Sequence, residues 1–424
     1  MSLAATKESK STTSSLRIVA AASIGNALEW YDLLVYGYFA VTISRLFFPS
    51  SDQTVSLMLA FGTFGVSYLV RPLGALVLGA YADKAGRKAS LAVSIFLMTI
   101  GTLLMAIIPT YSTIGILAPA AILIARLIQG FSVGGEFGGS TAFLVEHGSK
   151  RKGFFASFQW AGQGLAAVLA SLFGVGLTTM LTPEQISGWG WRVPYVFGLL
   201  IGPIGFYIRR HADETPEFLA SKPTRTPIRE VILGQWDRML FAIGIAVVSN
   251  SSNYLILYMP TYAVTQLNLP ASSGFIATFL GGMILTLGSP IVGHWSDVIG
   301  RTRIMLAAAA LFLLSAYPAF LVVTRYASLP MLITVVCWLS FVKTTYSGVL
   351  PSLMAEIFPT RTRSTGMALS YNTSAPIFGG FAPLISTWLI ELTASNLAPS
   401  FYLMATALVS FCVLLIVRRQ LRVN

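Results

Sequence analysis

Six ionisable side chains interrupt long apolar runs of this 424-residue chain: Glu29, Asp32, Arg71, Arg126, Glu136 and Lys343. A charge at the centre of an apolar helix costs about 2.5–3.5 kcal/mol on insertion scales, so such residues face a bundle interior and mark a functional task. Arg71 precedes Asp83 by twelve residues, about 18 Å of helix, which passes the middle of an apolar layer about 30 Å thick. Arg126 ahead of Glu146 and Lys343 ahead of Glu356 reach comparable depth. Three midplane cations with few acids near them suit an anion. Arginine offers a planar fork that matches a carboxylate in two bonds, and lysine a point charge. Arg71, Arg126 and Lys343 are therefore expected to receive carboxylates, with Arg192 as a candidate fourth. The competing assignments are fixed ion pairs of the arginines with Glu29, Asp32 or Glu136, and snorkelling of Arg192 beside Trp189 and Trp191. Neutral polar residues that could complete the site are Asn26, Gln129, Gln159 and Gln163 in the first half, and Asn253, Tyr346, Tyr371 and Asn372 in the second. Taken singly, each is better explained by packing; as a set, some are expected to touch a ligand.

The elements that must hold these groups are membrane helices. The chain is 55% hydrophobic and 10% charged, with a mean hydropathy of +0.72, whereas a soluble domain carries about 25% charged residues. Runs of about 20 apolar residues suffice to span. Twelve occur, from 18–46 to 399–418. The expected fold is an all-α polytopic membrane protein with twelve transmembrane helices in two pseudo-symmetric six-helix bundles. The bundles are 18–210 and 238–424, the latter ending in a short tail; 1–17 is a cytosolic tail and 211–237 a cytosolic linker. Two internal echoes support the duplication. Gly79-Ala-Tyr-Ala-Asp83-Lys-Ala-Gly86-Arg87-Lys88 returns as Gly293-His-Trp-Ser-Asp297-Val-Ile-Gly300-Arg301-Thr302, and Glu146/Arg151 returns as Glu356/Arg361. Of 28 Lys and Arg, 22 fall in the termini and alternate loops, and only Arg45, Arg192 and Arg325 in the opposite loops. That asymmetry implies that both termini are cytosolic. It also assigns the net charge of +12 to topology rather than to nucleic acid.

The duplicated loop resembles the signature of the major facilitator superfamily. Gly25-Asn26-Ala-Leu-Glu29-Trp30-Tyr31-Asp32, Arg71-Pro72-Leu73-Gly74, Arg126-Leu-Ile-Gln129-Gly130-Phe-Ser-Val-Gly134-Gly135-Glu136 and Trp189-Gly-Trp191-Arg192-Val-Pro194 are similar to its metabolite:proton symporter family. Trp338-Leu-Ser-Phe and Phe378-Gly-Gly-Phe-Ala-Pro383-Leu-Ile-Ser-Thr look most like the citrate and tricarballylate branch; other members carry 2-oxoglutarate, shikimate, proline or betaine. Lys343 departs from that branch, which is expected to be neutral there, so the resemblance implies a carboxylate class rather than one acid. The resemblance implies proton-coupled uptake of a di- or tricarboxylate by alternating access in a bacterial cytoplasmic membrane, with the proton as coupling ion and no other cofactor. Asp32, opposite Arg126, resembles the acid–base pair of proton-coupled sugar porters and is the first candidate for the coupling acid. Glu29, one turn earlier on the same face, and Glu136 are the others. In this family the loop aspartate resembles a latch. Asp83, Arg87, Asp297 and Arg301 are accordingly expected to form a gate, joined by Glu146, Arg151, Glu356 and Arg361.

Other classes find little support. No enzyme signature is present. His147, His211 and His294 share no metal-ligand spacing, and Gly134-Gly135 and Gly138-Gly139 read as close helix packing rather than a phosphate loop. A uniporter, an anion exchanger, a zwitterion carrier or a nutrient-sensing receptor are the alternatives. The receptor would need a larger cytosolic domain, and Lys343 without a matching acid would repel a quaternary ammonium. The partners expected are the lipid bilayer and a small anionic carboxylate, with no nucleic acid, on a monomer.

Overall fold

Inside a bilayer every backbone N–H and C=O must be paired within the protein, and a chain this apolar meets that demand with helices. The computed structural model describes residues 26–27, 29–85, 87–134, 136–147, 151–210 and 227–420. The expected N-terminal tail and much of the linker lie outside them, as do the side chains of Asp83, Arg87, Glu136 and Glu146. Among the described residues twelve long helices follow one another and no strand is present. They are α1 (29–47), α2 (Gln53–Leu69 continued by Arg71–Ala85), α3 (Arg87–Ile107), α4 (Leu117–Val133 continued by Glu136–His147), α5 (Lys152–Met180), α6 (Val193–Arg210), α7 (Trp236–Thr265), α8 (Ala271–Ile299), α9 (Arg301–Arg325), α10 (Leu329–Ile357), α11 (Arg363–Thr393) and α12 (Ala398–Gln420). Nine of these are long and apolar enough to cross a membrane on their described residues alone. A further helix, Pro227–Gly234, precedes α7.

Several helices are interrupted where the sequence demands it. α2 breaks at Val70, just before the Arg71-Pro72 pair; proline lacks an N–H and disfavours helical backbone before it. α11 passes through a π-turn at Pro376–Gly380. The site residues Arg71 and Tyr371 lie close to these irregularities.

Glycine sets how closely the helices carrying the arginines approach. A Cβ on Gly130 would lie 1.9 Å from the carbonyl oxygen of Ser67, and one on Gly134 equally close to that of Arg71. Gly74 meets the carbonyl of Phe131 in the same way. The backbones of α2 and α4 therefore touch, as small residues four apart allow, and this contact brings Arg71 and Arg126 into one region.

The halves meet mainly along α5 against α8 and α2 against α11. Small residues line the first seam: Gly153 against Gly293, Gly164 against Gly282 and Thr286, and Gly174 against the ring of Phe275. The Ser171 and Thr278 hydroxyls meet at 3.0 Å. In the second seam Gly65 faces Phe381 and Gly380 faces Tyr68.

Replacing Gly130 or Gly134 by alanine should lower the melting midpoint in detergent by the equivalent of about 1–3 kcal/mol, the usual cost of overpacking. Gly139→Ala, where a Cβ meets open space, should melt with the parent; equal effects at all three positions would refute the seam.

Candidate functional site

Between the halves lies a cavity walled by Leu34 and Tyr38 of α1, Gln163 of α5, Asn253 and Leu257 of α7, and Lys343 of α10. Its space accommodates about one or two waters, so a larger cargo requires the seams to part. Lys343 is the charged group in this wall, and it is buried. Its Nζ donates to Asn253 Oδ1 and, at 3.5 Å, to Gln163 Oε1 across the interface between halves. It also lies 5.3 Å from the ring centre of Trp160. Because the two amide oxygens turn to the ammonium, their NH2 groups turn away. Gln163 Nε2, Asn253 Nδ2 and Trp160 Nε1 are all buried without a partner, as is the Ser340 hydroxyl. The chamber thus holds a cation and a surplus of donors. An unmet buried donor costs about 1–3 kcal/mol, and an anion would satisfy these.

Arg71 and Arg126 are fully buried but do not line that cavity. The expectation of one chamber shared by all three cations is not what this conformation shows. The guanidinium carbon of Arg71 stands 3.7 Å from the ring centre of Tyr68 and 5.7 Å from that of Trp30; that of Arg126 stands 3.8 Å from Tyr36 and 5.7 Å from Phe64. Desolvated cation–ring stacking contributes about 2 kcal/mol. The rings form one cluster, Tyr36 stacked on Phe64 and Phe64 tilted on Tyr68. The cluster reaches the other half because the Tyr254 hydroxyl donates to that of Tyr68 at 2.8 Å. Asn253 and Tyr254 are consecutive on α7, so one helical turn touches Lys343 with the first and the arginine cluster with the second. Nε and Nη2 of both arginines have no hydrogen-bond partner.

Asp32 is buried on α1 and joined to Arg126 by a relay rather than directly. Thr102 of α3 donates to Asp32 Oδ2, Gln129 Nε2 donates to the Thr102 hydroxyl at 3.3 Å, and Arg126 Nη1 donates to Gln129 Oε1 at 2.7 Å. Glu29 is half-buried on the same helix.

At the end of the molecule bearing the second repeated loop, Asp297 caps a helix of the other half. Its carboxylate accepts the N–H of Gly153 at 2.8 Å and of Phe154 at 3.1 Å, in the first turn of α5. A carboxylate there meets unpaired donors and the positive end of the helix dipole. Arg301 holds it from behind at 2.9 Å while reaching Glu356 and the Ser352 hydroxyl on α10. Arg361 instead pairs with Glu230 of the Pro227–Gly234 helix, and Arg151 is exposed beside the same turn.

Residues 18–233 match the family described as sugar (and other) transporter, and 277–423 the major facilitator superfamily. Over 389 residues, 91% of this chain and 87% of the relative, it is 39% identical to the citrate-proton symporter of Klebsiella pneumoniae. It is 34% identical over 412 residues, 93% of this chain and 81% of the relative, to the proline/betaine transporter of Escherichia coli (strain K12). The fold matches the proton:xylose symporter XylE with a TM-score of 0.78 at 15% identity, covering 96% of each chain. The chain belongs to the major facilitator superfamily. Within it, the citrate and proline/betaine relatives place it in the metabolite:proton symporter family, and it is a membrane transporter, not an enzyme.

In this superfamily member the remaining expected residues occupy varied places. Asn26 exchanges hydrogen bonds with Gln159, through its backbone carbonyl at 2.6 Å and its side chain at 3.0 Å. Tyr346 donates to the carbonyl of Ile245 at 2.7 Å. Asn372 donates to the Gly134 carbonyl at 2.6 Å, tying α11 to α4. Tyr371 stacks on Phe137 at 3.7 Å with its hydroxyl buried and unpartnered. Arg192 donates to the carbonyls of Gly188 and Ile108, each at 3.0 Å, and lies over Trp191, away from the cavity. Sequence reasoning did not single out Thr102, Trp160 or Tyr68. A threonine in an apolar helix ordinarily bonds the preceding turn, as Thr102 also does with Met98, so its spacing carries no signal of a second partner.

Asp297→Ala should free the α5 terminus and move the closed-to-open balance at this end by about 1–2 kcal/mol, or about five- to thirty-fold. With Cys337 and Cys412 replaced by serine, a Ser157→Cys reporter next to Gly293 should then react faster with a membrane-impermeant thiol reagent; an unchanged rate would dismiss the latch.

Proposed function

We propose that this transporter carries a di- or tricarboxylate of the citrate or tricarballylate type together with a proton, by alternating access in a bacterial cytoplasmic membrane with both termini in the cytosol. The observation that carries the reading is the composition of the inter-half cavity: a buried lysine beside the unpartnered amide donors of Gln163 and Asn253 and the Ser340 hydroxyl. The citrate-proton symporter relatives support the same class. The units that rock are residues 18–210 and 238–424, joined by 211–237.

On this reading a carboxylate enters as the seams part and takes the ammonium of Lys343, whose amide partners then turn their NH2 groups inward. A second carboxylate draws on the free N–H groups of Arg71 and Arg126. When Arg126 turns to the substrate it releases Gln129, the relay to Asp32 loosens, and Asp32 accepts the coupling proton. Substrate and proton thereby favour each other's binding, as reciprocal linkage requires. The duplicated acidic and basic loops, including Asp83 with Arg87 and Asp297 with Arg301, hold the cytosolic end closed until the loaded carrier opens there to release its cargo. A zwitterion such as proline or betaine would bring its cationic nitrogen toward Lys343 in a wall with no acid among its described residues to match it.

Lys343→Met should raise the apparent KM for the carboxylate about ten- to a hundredfold, the range of a lost charged hydrogen bond, while thermal melting stays near the parent. Uptake into proteoliposomes should alkalinise a weakly buffered medium; no pH change would indicate a uniporter or exchanger. In a thermal-shift panel, tricarboxylates should stabilise the carrier, and stabilisation by betaine alone would overturn the anion assignment. Asp32→Asn should abolish accumulation against a gradient while sparing substrate exchange.

A further inference from the structure

We infer that the coupling proton is taken on Oδ1 of Asp32, the oxygen that packs against the bare Cα of Gly198, while Thr102 acts as a two-position rotor on the other oxygen. The inference rests on Asp32 as the coupling acid and names the groups that make its site. The two carboxylate oxygens differ. Oδ2 accepts from the Thr102 hydroxyl. Oδ1 is buried without a partner and faces α6, where a Cβ on Gly198 would lie 2.6 Å from it and 3.2 Å from the Thr102 methyl. A methyl at 198 would press on Oδ1 itself, so the glycine is what lets this unpartnered oxygen sit against α6.

The Thr102 hydroxyl has one proton and two acceptors, Asp32 Oδ2 and the carbonyl of Met98 at 3.0 Å. With Asp32 ionised, the charged acceptor holds the hydroxyl. When a hydronium gives its proton to Oδ1, one O–H bond of the donor breaks as the new Oδ1–H bond forms and water is left; the carboxyl is then neutral and the hydroxyl can rotate to Met98. In both positions the Thr102 oxygen still accepts from Gln129, whose amide oxygen holds Arg126. The hydroxyl can therefore turn between its two acceptors without breaking the chain that runs through Gln129 to the arginine. Among the described residues, the charged and titratable groups around Asp32 are Arg126 of α4, Tyr195 of α6 and Tyr31 of α1, with Glu29 one turn earlier on α1 and Tyr36 beyond Arg126; α3 presents Thr102.

The test is the pH dependence of proton-driven uptake in proteoliposomes, with substrate exchange and thermal melting measured on the same samples. In Thr102→Val the carboxylate loses the donor that favours its charged form. The half-maximal pH of uptake should move about one unit to the alkaline side, the equivalent of one charged hydrogen bond, and Thr102→Ser should restore it. Gly198→Ala should cut proton-driven accumulation at least about tenfold while exchange persists; should Thr102→Val not fold, this variant decides. A parental pH profile in Thr102→Val, no restoration in Thr102→Ser, or full accumulation in Gly198→Ala would overturn the inference. Asp32→Asn separates the two levels: if it still accumulates, the choice of acid fails, and if it does not while Thr102→Val behaves as the parent, only the rotor fails.

Discussion

A guanidinium cannot be left unmatched in an apolar interior, and the way this protein answers that constraint for Arg71 and Arg126 organises its first half. Each cation lies on a tyrosine ring, at 3.7 Å for Tyr68 and 3.8 Å for Tyr36. The negative face of a ring stabilises the charge without consuming its N–H groups, as a carboxylate partner would. The arginines thus stay buried and keep donors free. The arrangement needs α2 and α4 in backbone contact, which Gly74, Gly130 and Gly134 permit. It also needs α1 to present Tyr36 to that contact.

The second half answers the same constraint differently. Lys343 has no ring stacked closely upon it, and its ammonium rests on two amide oxygens, one from each half. Around it α7 carries an unusual run of buried polar residues, Ser249 to Asn253, most of them consumed by helix–helix bonds to Ser347, Ser374 and Thr406. These bonds fix α7 against α10, α11 and α12, so that Asn253 and Tyr254 stand at the boundary with the first half. One rigid helix therefore reads both charge centres, which is a physical basis for coupling them.

The charge depths were legible in the sequence because position along a helix is a local quantity: a residue's distance from the loop follows from its count and the rise per residue. For that reason Arg71, Arg126 and Lys343 could be placed inside the layer; of the glycines read as packing residues, Gly134 and Gly138 do meet a neighbouring helix, whereas Gly139 faces open space. Azimuth was not legible. Which way Arg71 points depends on the helix break at Val70 and on contact with a helix some sixty residues away. The loop network was partly legible: Asp297, Arg301 and Glu356 do meet. The pairing of Arg361 with Glu230 was not, because it depends on where the linker helix docks.

By itself the sequence determined the class of molecule, its helices, its kinship and the set of charges that must be buried, since hydropathy, helical rise and motif spacing all act along the chain. Tertiary structure alone decided that the arginines rest on tyrosines behind the cavity while the lysine lines it, that Asp297 caps a helix from the other half, and that Thr102 stands between Asp32 and Gln129. Each of these is a contact between helices far apart in sequence. The crossing that creates it is set by glycines and polar pairs acting together, which no single stretch of residues encodes.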